Sequence, residues 1–153
     1  MWIREFMKNW FPTILWMVFI FWLSTDTFSS KHTFKVIDPF LRWLFPWLSQ
    51  MDLRHLHAII RKFAHVIEYF ILGLLLFRTF RSDSSLTWHP KWAIWVIITV
   101  ILYAVSDELH QSFVPSRTAS IVDVSIDVAG GILSQIAIIL RVKIWQPNKS
   151  QIR

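Results

Sequence analysis

The sequence predicts an all-α membrane protein, with four transmembrane helices in a small bundle and an interfacial or re-entrant helical segment between the first two. Three observations predict this. The 153 residues are 54% hydrophobic, more than an ordinary soluble domain carries. The apolar residues gather into four segments separated by prolines and polar runs. There are 10 Trp and 13 Phe, and Trp favours the membrane–water boundary, where its ring is half in lipid and its N–H stays wet. The length suits one domain, residues 1–153.

The first span is expected over about 10–28, with its apolar core from Trp10 to Leu23 and Pro12 near the start, where a missing N–H costs little. Arg4 and Lys8 precede it as in a signal peptide, but no small-residue cleavage site follows, so the helix is expected to be retained. Over about 34–50, Phe34, Ile37, Leu41, Leu44, Phe45 and Leu48 recur at helical spacing, interrupted by Pro39 and Pro46; this is the interfacial segment. The second long helix is expected from Leu53 to Phe80, with Asp52 as N-cap and a span at about 60–80. At about 1.5 Å per residue it measures roughly 42 Å, longer than a bilayer core of about 30 Å. Its first turns, with Arg54, His55, His57 and Arg61, therefore belong in the interface, while His65 and Glu68 are forced into or near hydrocarbon. The third span follows Pro90 over about 92–111. The fourth covers about 121–142, where Gly130 and Gly131 suit close helix packing. The tail, residues 146–153, is expected to fray.

The net charge of +6 and the absence of cysteine narrow the chemistry. In so apolar a chain Lys and Arg set topology and meet lipid headgroups; no nucleic-acid motif is present. With the N-terminus inside, nine basic residues fall on the cytoplasmic side and seven outside. The expectation is a multi-pass protein of the bacterial cell membrane with both termini cytoplasmic. Disulfide and thiolate chemistry are excluded.

Ionisable groups inside predicted spans point to a site, because charge in hydrocarbon is costly. Lys62, His65, Glu68 and Tyr69 are read as one helical face, and the alternation of four spans brings them to the end that holds Glu108, His110, Gln111, Arg117, Asp123 and Asp127. Structural readings stand beside the functional one. Ser120 and Asp123 have capping-box spacing, and Glu68 or Arg117 could belong to buried ion pairs that fix packing. No cofactor is expected. A divalent metal at His65, Glu68, Glu108 and His110 is the minor alternative, although Glu108 and His110, two apart on a helix, point in different directions.

The pattern K-x-x-H-x-x-E-Y at Lys62–Tyr69, followed by D-E-x-H-Q-x-F-x-P-x-R and a later Asp, resembles the VanZ-like membrane proteins. Lys62, His65, Glu68, Tyr69, Asp107, Glu108, His110, Gln111, Phe113, Pro115, Arg117, Asp123 and Asp127 carry the resemblance, which extends over about residues 10–142. Two positions depart from the pattern: Ser116, where the family usually has Gly, and Asp127, where many members have Asn. The resemblance implies an envelope role, since the namesake is associated with resistance to teicoplanin, a lipid-tailed glycopeptide; it does not imply a reaction. The leading expectation is an outward-facing polar pocket binding an anionic lipid or glycolipid headgroup. Lys62, Tyr69, Asp107, Gln111, Arg117, Asp123 and Asp127 would be its binding residues, and membrane lipids or lipid-linked envelope precursors its partners. The rival is a phosphoryl or glycosyl transferase or hydrolase acting on a lipid-linked phosphate, with His65, Glu68, Glu108 and His110 as catalytic groups. A scaffold role is the third reading.

Overall fold

The structure, a computed structural model, describes residues 2–82, 84, 87–117 and 119–145. Among them the chain is all-helical: α1 Trp2–Leu23, α2 Ser30–Leu44, α3 Gln50–Arg81, α4 Pro90–Ser112 and α5 Ile121–Trp145, with one 3-10 turn at Asp26–Phe28 between α1 and α2. Three helices are long and apolar enough to cross a membrane, at Phe6–Leu23, Pro90–Ser112 and Ile121–Ile144. The predicted second span lies in α3, which carries Arg54, Arg61, Lys62, Glu68, Arg78 and Arg81 and so stands apart from those three. Residues 146–153, with Lys149, Arg153 and the predicted fraying, lie outside the described residues.

Several boundaries differ from the sequence expectation for local reasons. Ser49, not Asp52, is the N-cap of α3: the Asp52 N–H donates to Ser49 Oγ at 3.2 Å and the Ser49 N–H to Asp52 Oδ2 at 3.3 Å. This reciprocal box satisfies two donors that a helix start leaves open. The Ser49 hydroxyl also donates to Asp52 Oδ2 at 2.7 Å, and this bond, then that from the Ser49 N–H, holds the Asp52 carboxyl below its ordinary value. Pro12 sits well inside α1 rather than near its start. A proline leaves the carbonyl four residues earlier without its helical donor, and here Arg78 Nη2 donates to that Lys8 carbonyl at 2.9 Å. Pro39 likewise lies inside α2. The carbonyl it leaves open belongs to Lys35, on an exposed face where solvent serves. Of the two prolines of the 34–50 segment, Pro46 coincides with a break.

α3 is the centre of the bundle and packs against each of the other four helices. Tyr69, Leu72 and Leu76 of α3 meet Ile20 of α1 and Val96, Val100 and Ala104 of α4 in the buried core. α5 approaches α3 closely because Gly130 and Gly73 face it. A Cβ on Gly130 would lie 2.5 Å from the Val66 carbonyl oxygen, and one on Gly73 would overlap the Ser134 side chain. The outer faces of the three apolar helices are studded with exposed Leu, Ile, Val and Phe, as a lipid-facing surface requires. The first turns of α3 pack separately along α2, through buried Leu53 and Leu41 and a Thr33 Oγ1–His57 Nε2 hydrogen bond of 3.2 Å. Burial, then the nearby Arg61 charge, lowers the His57 pKa below its usual 6.5.

Candidate functional site

The end of the bundle where α1 stops and α3 begins collects almost every polar residue singled out above. The α4–α5 loop ties it together. Arg117 Nη2 donates to the Leu23 carbonyl at 2.7 Å and the Thr25 carbonyl at 3.2 Å. Those carbonyls close a helix C-terminus, where unpaired acceptors and the helix dipole both favour a cation. Burial lowers the Arg117 pKa, while Asp107 and Glu108 oppose the shift. The Ser116 hydroxyl donates to the Asp26 carboxylate, so the side chain that stands in place of the usual Gly fastens this loop to the 3-10 turn. Its backbone φ is not positive, so glycine's conformational freedom is not needed there.

Two carboxylates serve as supports. Glu108 Oε2 accepts the Ser120 N–H at 2.7 Å and thereby closes the N-terminus of α5. This is the role that capping-box spacing assigns to Asp123; with Glu108 in it, the half-buried Asp123 carboxylate takes no hydrogen bond among the described residues. Asp107 Oδ2 accepts from Gln111 Nε2 at 3.0 Å, and the same amide reaches Ser24 Oγ at 3.5 Å. His110 stacks on Phe21, with ring centroids 4.2 Å apart. Tyr69 is fully buried.

The third group surrounds a cavity of about 210 Å3 between α3, the end of α1 and the start of α2. Arg61, His65, Glu68 and Arg117 supply its charge, Ser24 and Thr33 its neutral polar atoms, and Leu23, Phe28, Ile37, Ile60 and Ala64 its apolar wall. Behind His65 lies Asp127, with no exposed surface. His65 Nδ1 and Asp127 Oδ1 are 3.2 Å apart. Against an ionised Asp127 the Nδ1–H of His65 donates, and in the neutral ring this leaves Nε2 as an acceptor.

Around this end, polar atoms are buried without a hydrogen-bond partner among the described residues on Arg61, Tyr69, Asp107, Glu108, His110, Arg117 and Asp127. A folded chain rarely leaves so many buried polar atoms unpaired in one place.

The family model for VanZ/LLP1 proteins matches residues 9–142, a segment containing every residue of this cluster. The chain belongs to the VanZ/LLP1 family. No curated protein and no solved structure matches it. For this VanZ/LLP1 chain the structure gathers His65, Glu68, Tyr69, Asp107, Glu108, Gln111, Arg117, Asp123 and Asp127 at one end, while His110 is set on Phe21 beside them. Lys62 is exposed and is not part of the cavity wall. The cation beside His65 and Glu68 is Arg61, which the sequence reading assigned only to the interface. At about 100° per residue Arg61 falls between His65 and Glu68 on the helix circumference, whereas Lys62 lies well to one side. The four residues considered for a metal are divided among cavity, cap and stacking contact. Among the described residues no three His, Asp or Glu side chains are grouped to hold an ion.

Proposed function

We propose that this VanZ/LLP1 protein crosses the bacterial cell membrane four times, with α3 as the additional span and both termini cytoplasmic. In this reading the Arg61/Arg117 cavity opens towards the outer leaflet and binds the phosphate of a lipid or lipid-linked envelope precursor. The observation that carries the reading is the pair of arginines lining an otherwise largely apolar cavity, each with a buried guanidinium nitrogen that no group among the described residues accepts from. Guanidinium groups match phosphate oxygens in a planar, bidentate fork. Glu68 balances their charge and Phe28, Ile37 and Ile60 offer a path for the lipid chain. α3 supports a span because Tyr69–Phe77 is uncharged and lies in the core. α2 fits the interface, with Val36, Phe40, Trp43 and Leu44 exposed on a helix that also carries Lys31, Lys35, Asp38 and Arg42.

The test is calorimetric titration of purified protein with farnesyl phosphate and with farnesol. The reading expects saturable binding of the phosphate and at least about tenfold weaker binding of the alcohol, the difference a charged hydrogen bond makes. Equal affinity for both would reject it. In cells, deleting the gene should change teicoplanin susceptibility more than vancomycin susceptibility, since only the former drug carries a lipid tail.

The His65–Asp127 pair favours a second reading, hydrolysis of a lipid phosphate. His65 would take a proton from a water attacking phosphorus while the lipid alcohol leaves and is protonated; Asp127 would hold the ring and its Nδ1–H in place. Release of inorganic phosphate from farnesyl phosphate, lost in His65→Ala with binding retained, would establish it; binding without release returns to the first reading.

A further inference from the structure

At the opposite end of the bundle lies a concavity of different composition. It opens between the C-terminal turns of α3 and α5 and has a volume of about 430 Å3. Phe77, Ile138 and Val142 line its apolar part, and Arg78, Arg81 and Arg141 its polar part; no carboxylate stands among its described lining residues. Cations in the last turn of a helix are favoured by the helix dipole, which accounts for Arg78 and Arg81 of α3 but not for Arg141, which precedes the last turn of α5, nor for a hollow that the three share with an aromatic and aliphatic wall. Arg78 gives one N–H to the Lys8 carbonyl, and a guanidinium has five. Arg141 lies exposed at the mouth.

We propose that this cavity is a separate lipid site, taking an anionic phospholipid with its phosphate on Arg141 and Arg78 and the upper part of an acyl chain against Phe77 and Ile138. Arginine suits a phosphate diester because two N–H groups meet two oxygens at once. The excess of positive charge selects a net-negative headgroup over a zwitterionic one, as basic hollows at membrane boundaries do. The inference stands independently of the Arg61/Arg117 cavity, which lies at the other end of α3.

The experiment titrates the full-length protein in neutral detergent with dihexanoyl phosphatidylglycerol, dihexanoyl phosphatidylcholine and inorganic phosphate. Phosphatidylglycerol should bind at least about tenfold tighter than either of the others, with the loss of one charge-assisted contact in Arg141→Gln costing about tenfold. Arg141→Lys should fall between, and Lys62→Gln, on an exposed face of α3 outside both cavities, should leave phosphatidylglycerol binding unchanged. Helical circular dichroism should be the same in every variant, and Arg141→Lys keeps the test decisive should the Gln variant lose it. Phosphatidylcholine binding as tight as phosphatidylglycerol would overturn the proposal, as would indifference to both Arg141 variants. Inorganic phosphate matching phosphatidylglycerol would also overturn it, marking a free-anion site in which the apolar wall does nothing.

Discussion

The two ends of the bundle use arginine in opposite ways. Where α1 ends and α3 begins, Arg61 and Arg117 are drawn inward among Glu68, Asp107, Glu108 and Asp127, and several polar atoms there are buried without partners. At the other end Arg78, Arg81 and Arg141 surround an open hollow. The helices beside it are joined by neutral hydrogen bonds that are completely made: Thr13 Oγ1 with Thr79 Oγ1 at 2.8 Å, Thr79 Oγ1 to the Asn9 carbonyl at 2.8 Å, and Asn9 Nδ2 to Ser82 Oγ at 3.2 Å. That last bond holds the one non-glycine residue with positive φ among those described. A fully satisfied network fixes packing; a partly satisfied one, kept at the expense of stability, has something else to bind or do.

The contrast is broken most severely at Asp127. Replacing it by Ala strips the buried partner from His65 and should cost about 3–5 kcal/mol, as removing one member of a buried pair does. Asp127→Asn keeps an oxygen to accept the Nδ1–H and should cost far less. Reversible unfolding in mixed micelles compares them, and equal losses would show that the charge, not the hydrogen bond, matters. Next comes packing. Gly130→Ala drives a methyl against the Val66 backbone and should cost about 1–3 kcal/mol in the same assay. Gly131→Ala meets the two Val100 methyls, at 2.8 and 3.1 Å, side-chain rather than backbone atoms, and should cost less. In the neutral network, Thr79→Val removes hydrogen bonds to Asn9 and Thr13 and should cost about 1–2 kcal/mol with no change in farnesyl phosphate binding; altered binding would join the two ends functionally.

The smallest effect is a pH dependence confined to α2. The folded chain protonates His57 less readily than the unfolded chain, whose value is the ordinary 6.5. Its contribution to stability is therefore complete above that value and is lost as pH falls through it towards the lower folded value. The protection of α2 amides, with exchange corrected for its intrinsic dependence on pH, should fall between pH 7.5 and 5.5, and His57→Gln should abolish the difference. Unchanged protection in the native chain would mean that the Thr33–His57 contact carries no weight.

The sequence pattern revealed the helices and the end at which their charges meet, because hydrophobic period and alternation of spans depend on little else. It was less able to resolve which side chain does what. Lys62 and Arg61 are neighbours, and only the rotation of α3 against α1 decides that Arg61 lines the cavity. Ser120 and Asp123 have the spacing of a capping box, but Glu108, twelve residues earlier, reaches the same N–H from another helix. Pro12 reads as a helix start until Arg78, distant in sequence, is seen to take over the carbonyl it leaves open. In each case the deciding contact is tertiary, and local spacing has no access to it.

That choice between neighbours gives the most direct test of the cavity. Arg61→Gln and Lys62→Gln remove the same charge from adjacent positions on α3, one in the cavity wall and one on the exposed surface. Titrated with farnesyl phosphate, Arg61→Gln should bind at least about tenfold more weakly than the native chain, while Lys62→Gln should match it within about twofold. Loss of binding in Lys62→Gln with Arg61→Gln unaffected would contradict the account, because the phosphate would then be held outside this cavity.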